Sequence, residues 1–183
     1  MYSQAVIPRY VAASDNTKLY NAVSFLGGVV LLALLAQITI PLAWTPVPIT
    51  GQTFGVTLIS LLWGRTRAFS VVGCYLLMGT LGLPMFAAVT GGATVGYLVG
   101  MLMATLVVGT LADRGWSQSF FKSWAAGAMG SLVVFSFGLV VLSFYIEDKS
   151  TLFTAGLWPF LPGDLIKTVS AAAIASTIAK RKK

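Results

Sequence analysis

Apolar residues run along this chain in long blocks, and polar residues gather between them. Val23–Leu42 and Trp124–Ile146 hold no charge over twenty and twenty-three residues. A helix needs about 20 apolar residues to cross the hydrocarbon of a bilayer. The blocks predict six spans, over 23–42, 51–64, 67–83, 94–112, 123–146 and 163–179. The fold class that follows is an all-α polytopic membrane protein, with 1–183 forming a single six-helix membrane domain. Spans two and three are short. Their fourteen and seventeen residues, at 1.5 Å each, reach about 21 and 26 Å, less than a hydrocarbon core of about 30 Å.

The segments beside the short spans break the pattern. "PLAWTPVPITGQ" (Pro41–Gln52) carries three prolines and no charge; "GLPMFAAVTGGATVG" (Gly82–Gly96) carries a proline, several glycines and no charge. Proline lacks a backbone donor and pushes the residue before it out of helix, so neither segment is helical throughout. Both are too apolar for ordinary solvated loops. Irregular backbone at membrane depth is tolerated where protein buries it or where it lines a cavity. Together with "WPFLPGD" (Trp158–Asp164) they fall on one side of the predicted bundle, which points to a pocket opening outward there.

Composition agrees with the hydropathy pattern. The chain of 183 residues is 9% charged, against about 25% in an average soluble domain. A net charge of +7 invites a nucleic-acid partner, but the positions of the charges exclude one. Arg9, Lys18, Arg65, Arg67, Arg114, Lys122, Lys180, Arg181, Lys182 and Lys183 fall on one side, ten in all, against Lys149 and Lys167 on the other. That asymmetry is the positive-inside signature and predicts cytoplasmic amino and carboxyl termini. No removable signal peptide is expected, because the opening residues are polar and mixed and the first apolar block is too long. Cys74 is the single cysteine and reads as a packed small residue. There is no histidine, and the five acids form no cluster with metal-ligand spacing inside the spans, so no metal site is expected. Without histidine or a suitable pair of carboxylates, an enzyme is not expected either.

Small residues recur every fourth position at Gly96, Gly100 and Ala104, and at Ala171, Ala175 and Ala179. Such stripes let helices approach closely in lipid. They serve either packing within the bundle or docking onto a separate membrane subunit.

The stretch "WPFLPGDLIK" (Trp158–Lys167) sets Asp164 and Lys167 three residues apart at the start of the last span. Asp164 can cap a helix that begins after Pro162 and Gly163, and Lys167 can pair with it one turn on. Lysine nevertheless has the wrong sign for the positive end of a helix dipole, so Lys167 calls for an anion, either Asp164 or a bound group. Ionisable residues in spans are functional candidates by default. Polar companions on the same side are Thr50, Gln52, Thr53, Thr90, Thr94 and Tyr97; Trp44, Phe86, Trp158 and Phe160 add aromatic surface. This inventory suits a small amphiphile in a mostly apolar pocket.

Four blocks in order, "AQITIPLAWTPVPITGQTFGV", "YLLMGTLGLPMFA", "GGATVGYLVG" and "FLPGDLIK", resemble the BioY family, the biotin-binding S components of energy-coupling-factor (ECF) transporters. The resemblance implies a six-helix fold that captures biotin from outside the bacterial plasma membrane. It implies as partners an ECF transmembrane subunit and two ATPases that use ATP, with no cofactor in this chain; solitary transport is the alternative, as is another small vitamin. Carried over residue by residue, it implies ligand contacts at Asp164, Lys167, Tyr97 and Gln52, with Thr90, Gly91, Gly92 and Trp158 beside them. The chain departs from the family in two places. "AVTGGATV" is shorter than the matching stretch of many members, and alanines spaced by four in the first helix are replaced by Ala33 and Ala36, with Gln37 at the fourth position.

Overall fold

The computed structural model describes residues 4–12, 16–86 and 92–180, and these are mostly helical. A short helix α1 (Val6–Ala12) precedes α2 (Thr17–Ala36), α3 (Gln52–Trp63), α4 (Arg65–Thr80), α5 (Val95–Asp113), α6 (Phe120–Leu142), the short α7 (Leu152–Gly156) and α8 (Leu161–Lys180). Among the described residues, three helical stretches, Thr17–Ala36, Gly92–Asp113 and Phe120–Leu142, are long and apolar enough to cross a membrane.

The first helix begins six residues earlier than its apolar block predicts and also ends six residues earlier, at Ala36. Asn16 sets its start, with Oδ1 accepting the Leu19 N–H at 3.2 Å. Apolarity does not register such a cap, and the helix continues through polar Thr17, Lys18 and Asn21. At the other end Pro41 disfavours helix at Ile40. The chain instead forms a small antiparallel ribbon, β1 (Thr39–Ile40) on β2 (Ile49–Thr50), with Thr39 facing Thr50 and Ile40 facing Ile49. The ribbon flanks the segment whose prolines exclude continuous helix, and the described residues remain mostly helical. It also accounts for the short span beside it: α3 has twelve residues, about 18 Å, and the ribbon extends the protein beyond its start.

Helix α5 is central, packed against α3, α4 and α6. The predicted stripes turn inward. A side chain at Gly96 would strike the Phe137 carbonyl, and a Cβ at Gly100 would lie 2.8 Å from the Cα of Val134. Ala171, Ala175 and Ala179 are buried with Leu58, Leu61 and Leu62 of α3. Both stripes therefore serve packing within the bundle. The outer face of α2 is the reverse of a soluble helix, with Leu19, Val23, Leu26, Val30 and Leu34 exposed.

One end of the bundle is held by Asp113. Its Oδ2 accepts the Arg65 N–H at 3.0 Å, so the last residue of α5 caps the first of α4. Gly64 makes the turn with φ +75°, and any side chain there would collide with Asp113. At the opposite end lie the ribbon, the segment around Phe86, α7 and the start of α8. There Lys149 donates to the carbonyls of Ser143 and Ile146 just after α6, where a cation complements the helix dipole. Next to it Asp148 accepts from the backbone N–H and the hydroxyl of Ser150, at 2.9 and 2.8 Å. Both bonds hold its carboxyl below the usual range.

Candidate ligand pocket

The end carrying the ribbon contains a cleft between α3, α5, α6 and α8. The ribbon borders it with Thr39 and Thr50, and Val47 and Pro48 add apolar wall. Gln52 and Thr53 begin α3 there, and Tyr97, Leu98 and Met101 face it from α5. Val134 and Phe135 of α6, Phe86, and Phe160, Asp164 and Lys167 complete most of the lining. The wall is largely apolar, with its polar groups concentrated where α8 meets the ribbon and α3.

Helix α8 starts at Leu161, so Asp164 lies inside its first turn and donates its N–H to the Phe160 carbonyl at 2.8 Å. This corrects the expected capping role. Pro162 sits in the first turn of the helix instead of stopping a segment before it, because the first turn needs no intrahelical donor. The side chain is then free to leave the helix. Asp164 Oδ1 accepts the Ser131 hydroxyl of α6 at 2.9 Å. Lys167 Nζ donates to the Thr50 carbonyl at 2.7 Å and to Thr53 Oγ1 at 3.2 Å. The intrahelical pairing expected of the two charges is replaced by hydrogen bonds to three other elements.

Tyr97 is buried against α6 where Gly138 leaves room: a Cβ at Gly138 would run into the tyrosine ring. The Tyr97 hydroxyl donates to the Gly156 carbonyl at 2.8 Å, and its ring centroid lies 6.4 Å from that of Phe160. The ring, rather than the hydroxyl, is what Tyr97 offers the cleft. Gln52 is also buried and its amide is engaged on both sides. Oε1 accepts from Thr50 Oγ1 at 2.9 Å, and Nε2 donates to Tyr75 Oη at 2.6 Å. Tyr75 in turn donates to the Met85 carbonyl at 3.3 Å and stacks edge-on with Phe86 at 5.3 Å. Gln52 therefore ties the ribbon to the segment around Phe86.

The cleft thus brings together Asp164, Lys167, Tyr97 and Gln52. Trp158 is 61% exposed and outside the lining, as is Trp44 at 64%. Gly92 is exposed and also outside the lining; its neighbour is the Tyr145 hydroxyl. Thr90 and Gly91 lie outside the described residues.

A family model described as the BioY family matches residues 11–183, nearly the whole chain. The chain belongs to the BioY family. Among its relatives, the biotin transporter BioY of Thermotoga maritima is 38% identical over 82% of this chain and 90% of its own. The biotin transporter BioY2 of Lactococcus lactis subsp. cremoris is 33% identical, over 85% and 87%. The crystal structure of the S-component for biotin from an ECF-type ABC transporter superposes with a TM-score of 0.82 at 24% identity. The superposition covers 93% of this chain and 95% of that one, so the two share a fold. Family membership and apolar helices together make this a multi-pass membrane protein.

Several contributors to this BioY-family cleft escape a reading of the sequence. Ser131 is a serine within an apolar helix, where a hydroxyl usually bonds the preceding turn, as Ser136 does to the Leu132 carbonyl at 2.7 Å. Nothing local distinguishes the serine that reaches Asp164. Tyr75, Met101, Val134 and Phe135 read as core. Thr39 did carry a signal: "ITI" (Ile38–Ile40) alternates apolar and polar, which is the strand period.

Proposed function

We propose that this protein is a biotin-binding S component of an ECF-type transporter, a transport subunit and not an enzyme. The observation that carries the reading is the placement of Asp164 and Lys167 in a largely apolar cleft faced by the Tyr97 ring. Biotin matches it group by group. Its ureido ring has two N–H donors, which suit the acceptor-only carboxylate of Asp164. Lys167 suits an anionic or carbonyl oxygen, either the ligand's carboxylate or its ureido carbonyl. The bicyclic ring and aliphatic tail suit Tyr97, Phe160, Met101 and Val134. The names of the relatives in Thermotoga and Lactococcus support the same ligand.

In this reading 1–183 form one membrane domain of six spans, α2 to α6 and α8, in the bacterial plasma membrane. Ten of the twelve basic residues and both termini face the cytoplasm, and the cleft, with Lys167, faces outward. An ECF transmembrane subunit and two ATPases are the partners, and ATP is consumed by them. Equilibrium binding of labelled biotin to the purified protein in lipid nanodiscs tests the ligand. Saturable binding is expected, displaced by unlabelled biotin and not by thiamine or riboflavin. Absence of saturable binding, or displacement by another vitamin, overturns it.

A further inference from the structure

Thr39 lines the cleft, and its Oγ1 is buried without a hydrogen-bond partner among the described residues. Burial of an unpaired hydroxyl is unfavourable, and valine would fill the same place in a strand without that cost. The residue facing it does not supply that partner. Across the ribbon, Thr50 faces Thr39, but its own hydroxyl donates to Gln52 Oε1 at 2.9 Å and its carbonyl accepts from Lys167 at 2.7 Å. Residues facing each other in antiparallel strands have Cα atoms about 4.5–5.5 Å apart. Thr39 therefore stands at the Lys167 end of the cleft.

We infer that Thr39 is a ligand-binding residue whose hydroxyl donates to the same ligand oxygen region that Lys167 addresses. The inference rests on the proposed biotin ligand, and the oxygen is either the carboxylate or the ureido carbonyl. An ammonium and a hydroxyl converging on one acceptor discriminate against ligands that present a donor there, because the buried donors would then oppose it. Thr39 would thus contribute specificity from the ribbon, beside the charged residues that α8 contributes.

The test uses full-length protein in nanodiscs, as wild type and two variants: Thr39→Val, which keeps shape, and Thr39→Ser, which keeps the hydroxyl. The probes are biotin, a biotin analogue whose side chain ends in methyl in place of the carboxylate, and 2-iminobiotin, which puts nitrogen in place of the ureido oxygen. Thr39→Val is expected to weaken biotin about three- to tenfold, with Thr39→Ser close to wild type. The Thr39→Val penalty should vanish with the probe that lacks the contacted oxygen, identifying which one it is. Unligated thermal melting should be at or above wild type for Thr39→Val and close to wild type for Thr39→Ser. Equal biotin affinity for wild type and Thr39→Val overturns the inference while the ligand stands. So does a penalty of the same size with all three probes, which would mean that Thr39 acts through the ribbon. If wild type fails to bind biotin, the ligand reading falls and this inference with it.

Discussion

Asp164 and Lys167 stand on one helix turn yet do different work. Asp164→Asn preserves size but puts an N–H where the carboxylate offered only acceptors, opposing ligand donors. Lys167→Ala removes a charged donor and releases the Thr50 carbonyl. Hydrogen bonds to charged groups are worth about 1.5–3 kcal/mol, so each variant should weaken biotin roughly 10- to 100-fold in the equilibrium assay. Wild-type affinity in both, with the fold intact, would reduce the pair to scaffolding. Tyr75→Phe acts on the support behind the cleft. It strips Gln52 Nε2 of its partner at 2.6 Å in a fully buried place. A cost of about 1–3 kcal/mol is expected, seen as a lower melting temperature without ligand. At this scale the sequence marked Asp164, Lys167 and Gln52, because a charge or amide in an apolar block is conspicuous, and the family resemblance added Tyr97. Ser131 and Tyr75 were not marked, because their partners lie 33 and 23 residues away.

Helix α5 fits against α6 only because glycines and alanine line the contact. Gly100→Val would push a branched side chain into the backbone of Val134. Overpacking of this kind costs about 1–3 kcal/mol, and thermal melting in detergent should record it. Gly138→Ala is predicted to behave differently. Its methyl meets the Tyr97 ring, so the ring must shift, and biotin affinity should fall more than stability does. Equal affinity for this variant and wild type would show that the Tyr97 ring position does not matter to binding. The stripes themselves were legible in the sequence, but their partner was not. Close approach is a property of two surfaces, and one stripe fits a neighbouring helix of its own chain as well as a helix of another protein. The ribbon was half legible: the prolines excluded helix over Pro41–Gln52, and the pairing of Thr39 with Thr50 needed the fold.

For the whole molecule, the proposed orientation puts Trp158 outside the cell and the Arg65–Asp113 junction inside. A cysteine at Trp158, which is 61% exposed, in a Cys74→Ala background should react in intact cells with a membrane-impermeant thiol reagent. Reaction only after the membrane is opened would invert the topology. The sequence by itself determined that this is a helical membrane protein with proline-broken apolar segments between its apolar blocks and two charges near one of them. Each of these follows from one residue's transfer cost or one residue's backbone restriction, so each is local. Only the tertiary structure decided that Asp164 bonds Ser131 instead of capping its helix. It also decided that Lys167 reaches the ribbon, that Trp158 points away from the cleft, and that the small-residue stripes face inward. Those outcomes depend on which distant group is within hydrogen-bond or van der Waals reach, and that is set by how the helices cross.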